Sequence, residues 1–408
     1  MAAYVGYYES AYQQLCRQLD ADVGTLRRLR WERPVLRGQP GEANAAAEAA
    51  SALADFAAVD ESVRDALADK VYYGKPLSPA EQELLHGRRA LLDRLRAATH
   101  HGWAQTELAP ERGSEMHVPP YPRAIDAALL LLAQAETQPP DECLRIATDV
   151  VRLGQDMVPG GPLEAVSVSM RMTSVAVPVI VRCAARGDLT TLRRAAHELH
   201  TLATHPPPSG VTLELTDIVS AMKLRSLAAL SNKSSATLVW QTVRERPVLL
   251  KAWSLFADPT RYRQITPERY PDGLDELKRE QDFRTQSRLP TVASDAGGVI
   301  DFLYDDMRGQ ALLRALTIGV GTLAERAYRG KLPSAPVSLR DVALLDPFRG
   351  QPLGFRVAAD GSELVLWSVG EDLKDDFGSD EWADAAPLDV TVHLPLSKLD
   401  DPRMRKAP

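Results

Sequence analysis

Between Ala124 and Thr204 four helical segments follow one another with little more than a turn between them, and this run constrains the fold more than anything else in the chain. Ala124–Ala135, Asp141–Leu153, Pro162–Arg186 and Leu189–Thr204 carry the helix signals. Pro139-Pro140-Asp141-Glu142 opens one segment, and Gly154 and Gly160-Gly161-Pro162 separate others. Short connections make neighbouring helices antiparallel. The expected fold is therefore mainly α, a helical-hairpin array with tetratricopeptide-like packing, although the spacing is not that of a regular repeat. An Ala-, Leu- and Arg-rich composition with only 6% aromatic residues fits helices, because these are among the best helix formers.

Helices are also expected at Tyr4–Arg30, Ala45–Phe56, Asp60–Asp69, Thr212–Leu230, Val239–Phe256, Leu274–Asp282 and Val299–Arg329. The firmest start lies at Leu77-Ser78-Pro79-Ala80-Glu81. Ser78 is placed to cap, Pro79 to occupy the first helical position, and Glu81 to close a capping box. Trp31 to Gly41 reads as an extended connector, and His100 to Arg123 as a loop rich in Pro, Gly and Glu. His205-Pro206-Pro207-Pro208-Ser209-Gly210 is the sharpest break. It divides an N-terminal helical array, residues 1–205, from a second helical region, 211–330, that ends in a long helix. After Gly330-Lys331-Leu332-Pro333 the period changes to that of strands. Phe355-Arg356-Val357, Glu363 to Ser368 and Asp389 to Leu394 predict a small antiparallel β-meander within residues 331–408.

The meander encloses the densest chemistry in the chain. Ser368, Asp372, Asp375, Asp376, Asp380, Glu381, Asp384 and Asp389 fall within 22 residues. Ca²⁺ takes six to eight oxygen ligands, and a loop closed by two strands can supply them. A solvated acidic loop is the competing reading. A second cluster, His197, His200 and His205, sits at a helix end. His197 and His200 share a face and are candidates for a zinc site or a hydrolase centre, but the spacing of helix-borne zinc proteases is missing. There is no Gly-x-Ser-x-Gly elbow and no glycine-rich phosphate loop. The net charge of −7 gives no basic footprint for nucleic acid. The apolar helical faces either pack on one another or line a groove for a lipid or peptide. Cys16, Cys143 and Cys183 match no metal spacing, and Cys143 and Cys183 fall in helices that can be neighbours. Tyr4, Tyr7 and Tyr8 at the entry to a helix resemble the aromatic belt beside a membrane span, which suggests a native N-terminal anchor or signal ahead of this chain.

Residues Leu312 to Leu394 resemble the periplasmic region of type II secretion major pseudopilins. The similarity rests on Tyr328 and Leu332-Pro333 at the helix end, then Asp346-Pro347, Gly350 and Pro352. It continues through Trp367-Ser368-Val369-Gly370-Glu371-Asp372 and ends at Asp389-Val390, with Glu371 and Leu373 replacing a small residue and Gly. The resemblance implies calcium bound by Ser368, Asp372, Asp376 and Asp389. The chain as a whole is similar to uncharacterised, membrane-anchored extracytoplasmic proteins of planctomycetes and myxobacteria. Those join a helical body to an Asp-Pro-Phe…Ser-Val-Gly…Lys-Asp-Asp ending. This implies a periplasmic location at the inner membrane. The expected function is a non-enzymatic scaffold or protein-binding protein with an unidentified protein partner and a Ca²⁺-ordered C-terminal loop. The alternatives are a hydrolase using the histidine cluster and a lipid or peptide carrier.

Overall fold

The computed structural model describes residues 30–38, 41–106, 121–207, 299–336, 344–379, 382–383, 386–387 and 389–396, with isolated helical positions at 13, 14, 17, 20 and 21. The helices expected at Thr212–Leu230, Val239–Phe256 and Leu274–Asp282, most of Tyr4–Arg30, and Cys16 lie outside the described residues. The fold is mainly α, with a small antiparallel three-stranded sheet near the C-terminus.

The helices are α1 (Ala45–Asp55), α2 (Glu61–Tyr73), α3 (Pro79–Ala98), α4 (Tyr121–Glu136), α5 (Pro140–Asp156), α6 (Leu163–Ala184), α7 (Leu189–Thr204) and α8 (Val299–Arg329). Their starts follow local chemistry. Ser78 Oγ accepts from the Glu81 N–H at 3.4 Å while the Ser78 N–H donates to Glu81 Oε2 at 2.6 Å, completing the box ahead of Pro79. Asn44 caps α1 by accepting from the Ala46 N–H at 3.1 Å, and Asp188 caps α7 by accepting from the Thr191 N–H at 2.8 Å. Each such cap satisfies a donor that the helix itself leaves unpaired.

α5 runs through the middle of the body, flanked by α3, α4, α6 and α7. Gly154 lets α5 and α6 approach closely, since a Cβ there would lie 3.1 Å from Ser169 Cα. A disulfide joins Cys143 of α5 to Cys183 of α6. α6 is long and apolar enough to cross a membrane by length and composition, but 50% of its apolar window is buried inside the fold. α8 packs on both α6 and α7 from far along the chain. Contacts are therefore not confined to sequence neighbours, as they are in a stacked repeat.

Two regions read as irregular in the sequence form a sheet. Strands β1 (Trp31–Glu32), β2 (Gly41–Asn44) and β3 (His101–Ala104) assemble in the order β1-β3-β2, with β1 antiparallel and β2 parallel to β3. The extended connector and the start of the His100–Arg123 loop are thus strand-paired. Their lengths of two to four residues are too short for alternation to show.

The C-terminal sheet has the order β4-β5-β8, from β4 (Gly354–Val357), β5 (Glu363–Ser368) and β8 (Val390–Pro395). All pairs are antiparallel, with Phe355 opposite Leu366 and Leu366 opposite Val392. A two-stranded hairpin, β6 (Trp382–Ala383) and β7 (Ala386–Pro387), stands in the acidic stretch between β5 and β8. The sheet lies on α8. Gly319 makes this possible, because a Cβ at that position would sit 2.5 Å from Leu394 Cδ1. Leu364, Leu366, Val392 and Leu394 thereby join the same core as the helices.

Candidate functional site

The Asp-Pro-Phe turn holds the end of β5 in place. Asp346 is buried and accepts three hydrogen bonds, from the Phe348 N–H at 2.9 Å, Ser368 Oγ at 2.7 Å and the Val369 N–H at 3.1 Å. Burial pushes its pKa up, and these three donors oppose the shift. Ser368, expected among the cation ligands, donates its hydroxyl proton to Asp346. Trp367 is clamped between two glycines: a Cβ at Gly354 would come 2.0 Å from Trp367 Cε2, and one at Gly378 would come 3.0 Å from Trp367 Cε3. Its indole N–H donates to Asp375 Oδ1 at 2.9 Å. Arg349 reaches the same carboxylate at 3.5 Å.

The acidic loop does not gather its expected ligands at one point. Asp372 faces solvent, accepts from the Lys374 N–H at 3.0 Å and lies 3.6 Å from the Lys374 ammonium. Asp376 and Asp389 behave differently. Asp389 is buried; its Oδ2 accepts from the Gly378 N–H at 2.8 Å, while its Oδ1 has no hydrogen-bond donor. Asp376 Oδ2 is likewise buried without a donor. The two carboxylates are near enough to interact: burial raises the pKa of Asp389 most, backbone donors oppose this, and the Asp376 charge adds to the rise. Two residues of the loop, Leu373 and Phe377, adopt left-handed φ of 59° and 57° and remain exposed. That conformation is costly for bulky side chains.

Beside Asp389 opens a groove of about 680 Å³ between α6, α8 and β8. Met170, Val177 and Val181 of α6, Leu312 of α8 and Val390 and Val392 of β8 form its apolar lining. The groove thus lies between the helical body and the sheet, and not inside the helical array where the sequence placed it.

The histidines of α7 do not assemble a pocket. His197 and His205 are exposed and His200 is half-buried, whereas Glu198 between them turns into the core. His205 Nδ1 lies 3.1 Å from the Thr201 carbonyl and 3.0 Å from Thr204 Oγ1, a local helix-end arrangement. Among the described residues no group of three or more His, Cys, Asp or Glu is placed to hold a metal ion.

Sequence reasoning did not single out the largest polar feature of the interior. Asp149, Arg152 and Asp156 of α5 meet Arg33 and Arg37 from the 31–38 connector, Arg96 from α3, and Arg194 and Glu198 from α7. Arg33 Nη2 lies 3.0 Å from Asp156 Oδ2, and Arg96 Nε lies 3.0 Å from Asp149 Oδ2. Arg37 pairs with Asp149, and Arg152 donates to the Pro34 carbonyl. Arg194 Nε stands 3.4 Å from Glu198, which also accepts from Thr148 Oγ1 at 3.2 Å. Burial drives the Asp156 pKa up to about 6 against the pull of Arg33 and Arg152. It drives that of Arg152 down to about 10. The one available signal was the spacing 149, 152, 156, which puts three charges on one helix face.

No protein-family model matches the chain, and neither a curated protein nor a solved structure matches it.

Proposed function

We propose that the chain is a non-enzymatic, extracytoplasmic binding protein whose C-terminal sheet is ordered by a divalent cation, Ca²⁺ by ligand type. The observation that carries this is the pair Asp376 and Asp389, each with a buried carboxylate oxygen that lacks a donor. Neighbouring buried carboxylates are costly as anions unless a positive charge stands between them. A hard cation supplies that charge and takes further oxygens from backbone carbonyls of the loop. Asp376 and Asp389 hold the ion in this reading, Ser368 stays with Asp346, and Asp372 stays in solvent. The cation does structural work: it joins the acidic loop to the start of β8 and so fixes one end of the groove. The extracytoplasmic location is supported by the Cys143–Cys183 disulfide, because such bonds persist in oxidising compartments. The tyrosines Tyr4, Tyr7 and Tyr8 and the resemblance support an inner-membrane anchor, and the helical body presents the surface for a protein partner.

Thermal unfolding in EDTA and in millimolar Ca²⁺ tests the reading. Saturation about a hundredfold above the dissociation constant stabilises by roughly 2.7 kcal/mol. The wild type is expected to gain a higher midpoint with Ca²⁺, Asp376→Asn and Asp389→Asn to lose that gain, and Asp372→Ala to keep it. A wild type indifferent to Ca²⁺ returns the run to a solvated acidic loop.

The groove favours a second reading, a carrier for an apolar peptide or lipid. It predicts that a bulky substitution in the lining, such as Val177→Trp, abolishes binding of a fluorescent acyl probe without shifting the Ca²⁺ response.

A further inference from the structure

We infer that Arg33 and Arg152 form a buried binding site for a monovalent anion, which locks the 31–38 connector onto α5. Both guanidinium groups are withdrawn from solvent, Arg152 being 0% and Arg33 6% exposed. Among the described residues, Nε and Nη1 of Arg33 and Nε and Nη1 of Arg152 have no acceptor. Arg33 Nη2 approaches Asp156 as an ion pair without hydrogen-bond alignment, and Arg152 Nη2 is taken by the Pro34 carbonyl. Both carboxylate oxygens of Asp156 beside them also lack an aligned donor, so the acid does not satisfy these guanidinium groups, whereas buried polar groups are almost always paired.

The charges point the same way. Among the described residues Asp156 is the one carboxylate that Arg33 pairs with, and the same acid acts on Arg152. The other acids nearby are committed: Asp149 to Arg37 and Arg96, Glu198 to Arg37 and Arg194. Asp149 also acts on Arg152, but its two oxygens already pair with Arg37 and Arg96, so among the described residues Asp156 is the uncommitted counter-charge for two buried cations, one fewer than they need. A buried unpaired guanidinium is strongly destabilising. One monovalent anion balances the charge and accepts the spare N–H groups together. A divalent oxyanion would overbalance the site beside Asp156. The position gives the anion a structural role, because Arg33 and Pro34 belong to the connector whereas Arg152 and Asp156 belong to α5.

Unfolding midpoints in sodium chloride and sodium gluconate at matched ionic strength provide the test. The wild type is expected to unfold at a higher midpoint in chloride, rising with the logarithm of its concentration. Arg152→Met should lose this dependence. Asp156→Asn removes a repelling charge, so it should reach the same gain at a lower chloride concentration, by tenfold or more. That variant retains both guanidinium groups and decides the matter even if Arg152→Met does not fold. Bromide should replace chloride, with its anomalous scattering between the two guanidinium groups. Equal midpoints in chloride and gluconate for the wild type and Asp156→Asn overturn the site and leave the donors to ordered water. A chloride response that survives in Arg152→Met, or bromide located elsewhere only, overturns it as well.

Discussion

In the helical body, α5 is enclosed by helices on nearly every side, tied to α6 by a disulfide and to its covering connector by buried ion pairs. The C-terminal sheet has one apolar face on α8, and the turn that ends β5 is held by polar contacts, Ser368 and Val369 to Asp346 and Glu371 to Arg308 of α8. The body thus spreads its stability over many contacts, and the sheet concentrates its order in a few polar ones. Polar contacts of that kind respond to ions and to protons; apolar packing and a covalent link do not. A unit meant to change state on binding is better built like the sheet than like the body.

The comparison can be broken at either end. The strongest test removes the cross-link: Cys143→Ala with Cys183→Ala opens a loop spanning a sequence separation of 40, worth about 4 kcal/mol by chain entropy. Chemical denaturation should show this loss in the body, and amide exchange in β5 should follow only as the whole fold weakens. Next, Asp346→Ala orphans three buried donors and is expected to cost about 3 kcal/mol. Here exchange should accelerate first in β4, β5 and β8, with α5 unaffected; uniform acceleration would mean that the two regions are one cooperative unit.

The interior ions sharpen the contrast through pH. Asp156 has a native pKa raised to about 6, so between the unfolded carboxylate range and that value the native state holds more protons than the unfolded one. Its contribution therefore favours the fold at low pH and is lost as pH rises through about 6. Asp156→Asn should flatten this part of the stability profile by on the order of 2 kcal/mol, read from denaturant midpoints at pH 4.5 and pH 7.5. Gly319→Ala probes the seam itself. The added methyl meets Leu394, a flexible side chain, and is expected to cost about 1 to 2 kcal/mol while loosening the sheet from α8. The smallest effect belongs to Ser78→Ala, about 1 kcal/mol, confined to α3 by circular dichroism and exchange.

Much of the body could be read from the chain because its signals are local. The Ser78–Glu81 cap, the helices from α4 to α7 and the turns between them follow from residues a few positions apart. Strands β4, β5 and β8 showed through the change to strand period after Gly330-Lys331-Leu332-Pro333. What stayed hidden depends on distant partners. The β1-β3-β2 sheet joins Trp31 to Ala104 over strands too short to carry a period. Asp149, Arg152 and Asp156 look like a solvated helix face, and only the connector laid over them makes that face interior. At the acidic loop, composition identified the region but not the pairing. The bond from Ser368 to Asp346, twenty-two positions earlier, joins two distant stretches and has no local signal.

The place of α8 has a consequence for biosynthesis. The faces of α6 and α7 that it covers are made well before Val299–Arg329 leaves the ribosome. At about 5 to 20 residues per second, the interval between Thr204 and Arg329 amounts to roughly ten seconds. For that time the faces of α6 and α7 are without α8, an interval long compared with the microseconds in which helices form. The chain therefore reaches its final packing late and from its far end, and a nascent fragment stopped before Val299 should be a client for chaperones.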